Sequence, residues 1–186
     1  MELTFRELIT AIHGMLFGGF FLMAIFGAIV LLLSAHSDRP TPEPTISRWQ
    51  TFYLIAMVVL GWAAVLSGAY IIYPWYRAIA PAGADLALYP KALLTAHPTT
   101  AGWHSFGMEW KEHVAWIAPM AATMVAFVLV KHRAAWNAHR QVRAAVLGFA
   151  AVAFLAAATA GGWGAMINKK APVQGGQTYQ FMESAK

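Results

Sequence analysis

Four stretches of this chain are apolar for so long that few folds are open to it. They run at about Leu8–Ser34, Trp49–Tyr73, Phe106–Val130 and Val142–Ile167. Crossing a bilayer takes about 20 helical residues. In lipid every backbone N–H and C=O must be satisfied within the protein, which leaves only helices and closed barrels. Each stretch is two to three times the length of a barrel strand, so helix is expected. Only 11% of residues are charged, where a soluble domain carries about 25%. The expected fold is all-α: a polytopic membrane protein, residues 1–186 forming one membrane domain built as a four-helix up-down bundle. The net charge of +5 gathers at the ends of the apolar stretches, where cations anchor helices in lipid. Binding to nucleic acid is therefore not expected.

The linker between spans three and four holds Lys131, His132, Arg133, His139, Arg140 and Arg143. By the positive-inside rule it is cytoplasmic. The first linker, with Arg39 and Arg48, then faces the cytoplasm too. Both termini and the 74–107 loop face outward, in a cell inner membrane. Lys169 and Lys170 run against this assignment. The N-terminal residues lack a small-residue cleavage motif and are read as retained. The absence of cysteine excludes disulfides, iron–sulfur clusters and covalent c-type haem.

His13 stands inside the first span, in Ala11-Ile12-His13-Gly14-Met15. An ionisable group among apolar neighbours in a span is costly and marks function by default. His113 stands near the start of span three. His13 lies five residues after Leu8 and His113 seven after Phe106. In an up-down bundle both spans start at one face, so at about 1.5 Å per residue the imidazoles share a depth. Facing imidazoles in a bundle core can fill both axial positions of a haem iron.

Gly14, Gly18 and Gly19 beside His13 would let a flat macrocycle approach the backbone. Gly61, Ala64 and Gly68, and Gly161, Gly162 and Gly164, are read first as helix-packing positions. Arg77, after Tyr73-Pro74-Trp75-Tyr76, is the expected partner of a haem propionate. Lys91, Lys111, Lys169 and Lys170 are weaker choices. His104, in the loop before span three, can replace His113 as a ligand, and His97 is a further option. A second haem between His36 and His132 is not expected. His13 and His36 are 23 residues apart, roughly 34 Å of helix, which puts that site in the headgroup layer. The 74–107 loop of 34 residues is long for a helix connection and is expected to cover the pocket or meet a partner.

With His13, His113, the glycines beside His13 and the four-span layout, the chain resembles small membrane b-type cytochrome subunits. The resemblance is architectural and covers the four spans. It implies one haem b, no bond chemistry in the chain itself, and electron relay between quinol and a redox partner. That partner would be another membrane or peripheral subunit or a c-type cytochrome. The alternative is a structural or pigment-binding subunit of a larger complex. A proton conductor is disfavoured because no acid was read deep in any span.

Overall fold

A computed structural model of the chain describes residues 2–37 and 46–181, with the side chains of 35–37 outside that description. The linker from 38 to 45, Arg39 and the side chain of His36 therefore lie outside the described residues. Four helices are long and apolar enough to cross a membrane: Phe5–Ser34, Arg48–Tyr76, Pro98–Lys131 and Arg140–Lys170. The cross-helix contacts run in opposite directions along neighbouring helices. On the first and second, His13 meets Gly68, Phe21 meets Gly61, and Gly27 meets Tyr53. On the second and third, Tyr73 bonds Glu112 and Trp62 bonds Thr123. On the first and fourth, Leu22 lies by Gly161 and Phe26 by Phe154. This is an up-down bundle in which each helix packs on its two neighbours, with the first and third on a diagonal.

Two apolar cores stack along the bundle. The larger is closed by Ile25, Met57, Ala122, Val125, Ala150 and Ala153, all fully buried. The smaller, around Tyr76, Leu94, Met108 and Ile167, sits at the end where the chain termini lie. No polar or charged residue is fully buried among the described residues. Side chains that carry charge or hydrogen bonds collect between and around the smaller core, at the His13 end.

Two helices differ from the expected bounds. The third begins at Pro98 and not near residue 106, so the connection before it spans 77–97 instead of 74–107. That connection contains a turn of 3₁₀-helix, Leu86–Leu88, and a short helix, Pro90–Thr95. Pro74 does not end the second helix, which continues to Tyr76. The reason is local. The preceding stretch, Gly68–Ile72, winds as π-helix, and the Tyr73 N–H reaches back five residues to the Gly68 carbonyl. Pro74 then occupies the first turn of a new α segment, where its missing N–H costs nothing.

The strands Glu2–Thr4 (β1) and Thr178–Gln180 (β2) pair antiparallel across the same end, with Leu3 opposite Tyr179. Thr4 also caps the first helix in a reciprocal box with Glu7. Its hydroxyl accepts a further bond from the Gly175 N–H at 3.2 Å.

Candidate functional site

Three π-helical stretches occur among the described residues: Ile12–Gly19, Gly68–Ile72 and Trp103–Met108. They belong to three different helices, and all lie at the same end of the bundle. π-Winding is rare, and short stretches of it are common at functional sites. His13 is in the first stretch and His104 in the third, while Ser67 immediately precedes the second.

His13 is half-buried against the second helix. Its imidazole lies across Gly68, where a Cβ would stand 2.7 Å from Cε1. Its Nδ1 is 3.0 Å from Ser67 Oγ. The Ser67 hydroxyl already donates to the Ala63 carbonyl at 2.6 Å. Its oxygen is therefore the acceptor, and Nδ1 of His13 carries the hydrogen. The remaining nitrogen, Nε2, has no hydrogen bond among the described residues and presents a lone pair. An imidazole anchored by Nδ1–H with Nε2 free is in the form that binds a metal.

His113 has the same tautomer for another reason. Its Nδ1 is 2.7 Å from the Glu109 carbonyl, which can only accept, so Nδ1 carries the hydrogen and Nε2 is again free. However, His113 is exposed on the outside of the bundle. Lys111, two residues earlier, lies on a different face and turns inward. The expected His13–His113 pair across the core is thus not formed here: His13 packs on the second helix, while His113 is exposed. His104 is half-buried and 2.9 Å from the hydroxyl of fully buried Tyr76. His97 is exposed and caps the helix that starts at Pro98. Gly14 faces outward with no atom within 4 Å of its Cβ position, so it does not hollow the interior beside His13.

Arg77 is committed elsewhere. Its Nη2 donates to Glu109 Oε1 at 3.1 Å and to Glu112 Oε1 at 3.2 Å. Glu112 also accepts from the Tyr73 hydroxyl at 2.7 Å, and the Arg77 guanidinium stacks on the Tyr73 ring. With two carboxylates around it, Arg77 has little charge left for a propionate. Glu109 and Glu112 lie in the N-terminal half of the third helix, Pro98–Lys131. Their spacing of three residues puts both on one helix face, a signal present in the sequence.

Lys111 is half-buried. It lies along Gly164 of the fourth helix, its Nζ 3.0 Å from where a Cβ there would stand. No carboxylate lies within ion-pair distance of it among the described residues. Trp163, one residue from Gly164, covers Gly107 of the third helix. Glycines therefore do serve packing, as read for Gly61 and Gly68, but the guests at Gly68 and Gly164 are an imidazole and an ammonium.

For a haem, the fit is one-sided. His13 would supply one imidazole nitrogen, its Nδ1 held by Ser67. A second nitrogen would require His113, exposed on the outside, or His104, held on Tyr76, to turn toward His13. No cluster of three or more His, Asp or Glu able to hold a metal ion occurs among the described residues. Comparison with protein-family models, with curated proteins and with solved structures finds no match to this chain.

Proposed function

We propose that the protein is an inner-membrane electron-transfer subunit that binds one haem b through His13. The observation that carries this reading is His13 itself, held by Ser67 with Nε2 free at a π-wound end of an otherwise apolar bundle. His113 is the preferred second ligand because its Nε2 is also free, and His104 is the alternative. Bound haem would supply one-electron oxidation and reduction. The chain's own part is to hold the ring by His13, fix that imidazole through Ser67, and exclude water with the closed apolar core below. Held by two histidines, the haem would leave no site for substrate, so the chain would relay electrons and make no bonds. Quinol on one side and a peripheral subunit or c-type cytochrome on the other are the expected partners. The basic 131–143 segment faces the cytoplasm, and the strand-paired termini face outward.

The test is a reduced-minus-oxidised spectrum of protein expressed with ample haem. A low-spin haem signature is expected, lost in His13→Ala and changed to high-spin in His113→Ala. No haem signature in the wild-type protein rejects the reading.

A second reading rests on His113 alone. An exposed imidazole with Nε2 free can ligate one axial position of a pigment held on the outside of the bundle, as in a structural subunit of a larger complex. Extraction of the purified complex distinguishes the two: a pigment lost in His113→Ala but kept in His13→Ala favours this one.

A further inference from the structure

Acids and bases are divided unevenly between the two ends of the bundle. Every acid among the described residues, Glu2, Glu7, Asp85, Glu109 and Glu112, lies at the His13 end. The opposite end carries Arg48, Lys131, Arg133, Arg140 and Arg143. The linker between spans one and two, outside the described residues, adds Arg39, Asp38 and Glu43, which still leaves six cations to two acids there. The ion pairs among the described residues all belong to Arg77, at the other end. The cationic end is also built to hold its shape. A short helix, Arg133–Ala138, closes it between spans three and four. Trp136, 2% exposed, seats that helix in the larger core. Arg143 Nη1 donates to the Trp136 and Asn137 carbonyls at 3.2 and 2.9 Å. Lys131 and Arg140, which flank the short helix, are exposed. Arg133 is half-buried, and its Nε is enclosed with no hydrogen-bond partner among the described residues. A guanidinium nitrogen shut away without an acceptor is costly. Trp49, exposed beside Arg48, sets this end at the level of lipid headgroups, and Leu31, Phe52 and Phe127 leave apolar surface exposed below it.

We propose that this end binds the headgroup of an anionic phospholipid, with Arg133 as the central contact to the phosphate and Lys131 and Arg140 beside it. The guanidinium fork matches phosphate oxygens, and the two exposed cations add the charge that draws an anionic lipid to a basic juxtamembrane cluster. The acyl chains lie on the exposed apolar surface below. A zwitterionic phospholipid offers the same phosphate but brings its own cation, so it does not answer the excess of positive charge. The proposal rests on the membrane reading and is independent of haem.

The experiment uses full-length protein reconstituted in phosphatidylcholine vesicles that hold a trace of spin-labelled phosphatidylglycerol or of spin-labelled phosphatidylcholine. Electron paramagnetic resonance reads the fraction of each label slowed at the protein surface. Both leaflets carry the label, so the direction of insertion does not affect the result. Wild-type protein is expected to prefer phosphatidylglycerol by about three-fold or more at low salt. Arg133→Gln should bring the preference close to one. A double variant, Lys131→Gln with Arg140→Gln, alters exposed positions alone and should lower it too, which keeps the test open if Arg133→Gln does not fold. Lys169→Gln with Lys170→Gln removes two exposed cations at the other end and should leave it unchanged. No preference in the wild-type protein overturns the proposal, as does a preference that the Arg133 and Lys131/Arg140 variants retain. Equal losses in the two double variants also overturn it, because net charge and not this end would then be the cause. Protein that floats with vesicles of neither lipid overturns the membrane reading as well. A preference that depends on Arg133 in protein without haem upholds the proposal and leaves the haem reading to its own spectrum.

Discussion

The imidazole of His13 fills the space that a side chain on Gly68 would need: a Cβ at residue 68 would stand 2.7 Å from Cε1. The ring cannot easily give way, because Ser67 holds its Nδ1. Gly68→Ala should therefore cost about 1–3 kcal/mol of stability as an overpacking change. In a His13→Ala background the clash is gone. The same substitution should then be neutral or stabilise by up to about 1 kcal/mol through helix propensity. Thermal or denaturant unfolding of the four proteins in detergent checks this cycle. Equal costs in both backgrounds would show that the contact is not the cause.

Ser67→Ala leaves Nδ1–H of His13 without its acceptor. A loss of about 1 kcal/mol is expected from the hydrogen bond. If His13 ligates haem, retention should weaken by about ten-fold or more, the usual scale for removing the group that orients a ligating imidazole. Haem titration of Ser67→Ala beside wild type reads both. Unchanged affinity would detach Ser67 from the ligand role.

The two acids around Arg77 should differ in weight. Glu112 bonds both Tyr73 and Arg77, with its side chain 20% exposed, whereas Glu109 is 42% exposed and reaches Arg77 alone. Glu112→Gln is expected to cost about 1–2 kcal/mol. Glu109→Gln should stay within about 0.5 kcal/mol, as solvent-screened pairs do. The reverse order, measured by unfolding, contradicts this account.

Gly107 and Gly14 provide a contrast between a filled and an empty glycine. A Cβ at 107 would stand 2.7 Å from Trp163, a rigid ring, while one at 14 would meet nothing within 4 Å. Gly107→Ala should cost about 1–3 kcal/mol. Gly14→Ala should cost nothing and leave haem binding intact. Loss of haem in Gly14→Ala would restore the idea that the macrocycle lies on that glycine.

Thr4 joins the two termini, capping Glu7 and accepting from the Gly175 N–H. Thr4→Ala should cost about 1 kcal/mol. Amide exchange should rise on both β1 and β2, and a rise on β1 alone would show that Thr4 acts only as a cap.

The four long helices were legible from the length of the apolar runs, which suits helices of bilayer-crossing length. His13 was legible because nothing in its neighbours explains an imidazole. The helix ends near Pro74 and Pro98 were not: Pro74 breaks a regular α pattern yet opens a new α segment, and Pro98 starts the third helix within a stretch too polar to mark a span. Arg77 was read as free, although the three-residue spacing of Glu109 and Glu112 hinted at a clamp. The pairings of His13 with Gly68 and of Lys111 with Gly164, and the outward turn of His113, depend on how far each helix is rotated about its axis. Hydrophobic periodicity fixes that angle poorly in helices with apolar residues on every side.

The π-wound stretches are what shift that angle. Each inserts extra length into a turn, and each residue of α-helix is worth about 100° of rotation. Removing one residue from Ile12–Gly19 would let the helix close into regular α winding. Because the wider turns absorb that residue, the two flanking parts would keep nearly their present register, and the residues of the stretch itself would be re-aimed. His13 would leave Ser67 while Phe21 and Ile25 stayed in place. The end that carries the chemistry is thus geared separately from the end that holds the bundle together.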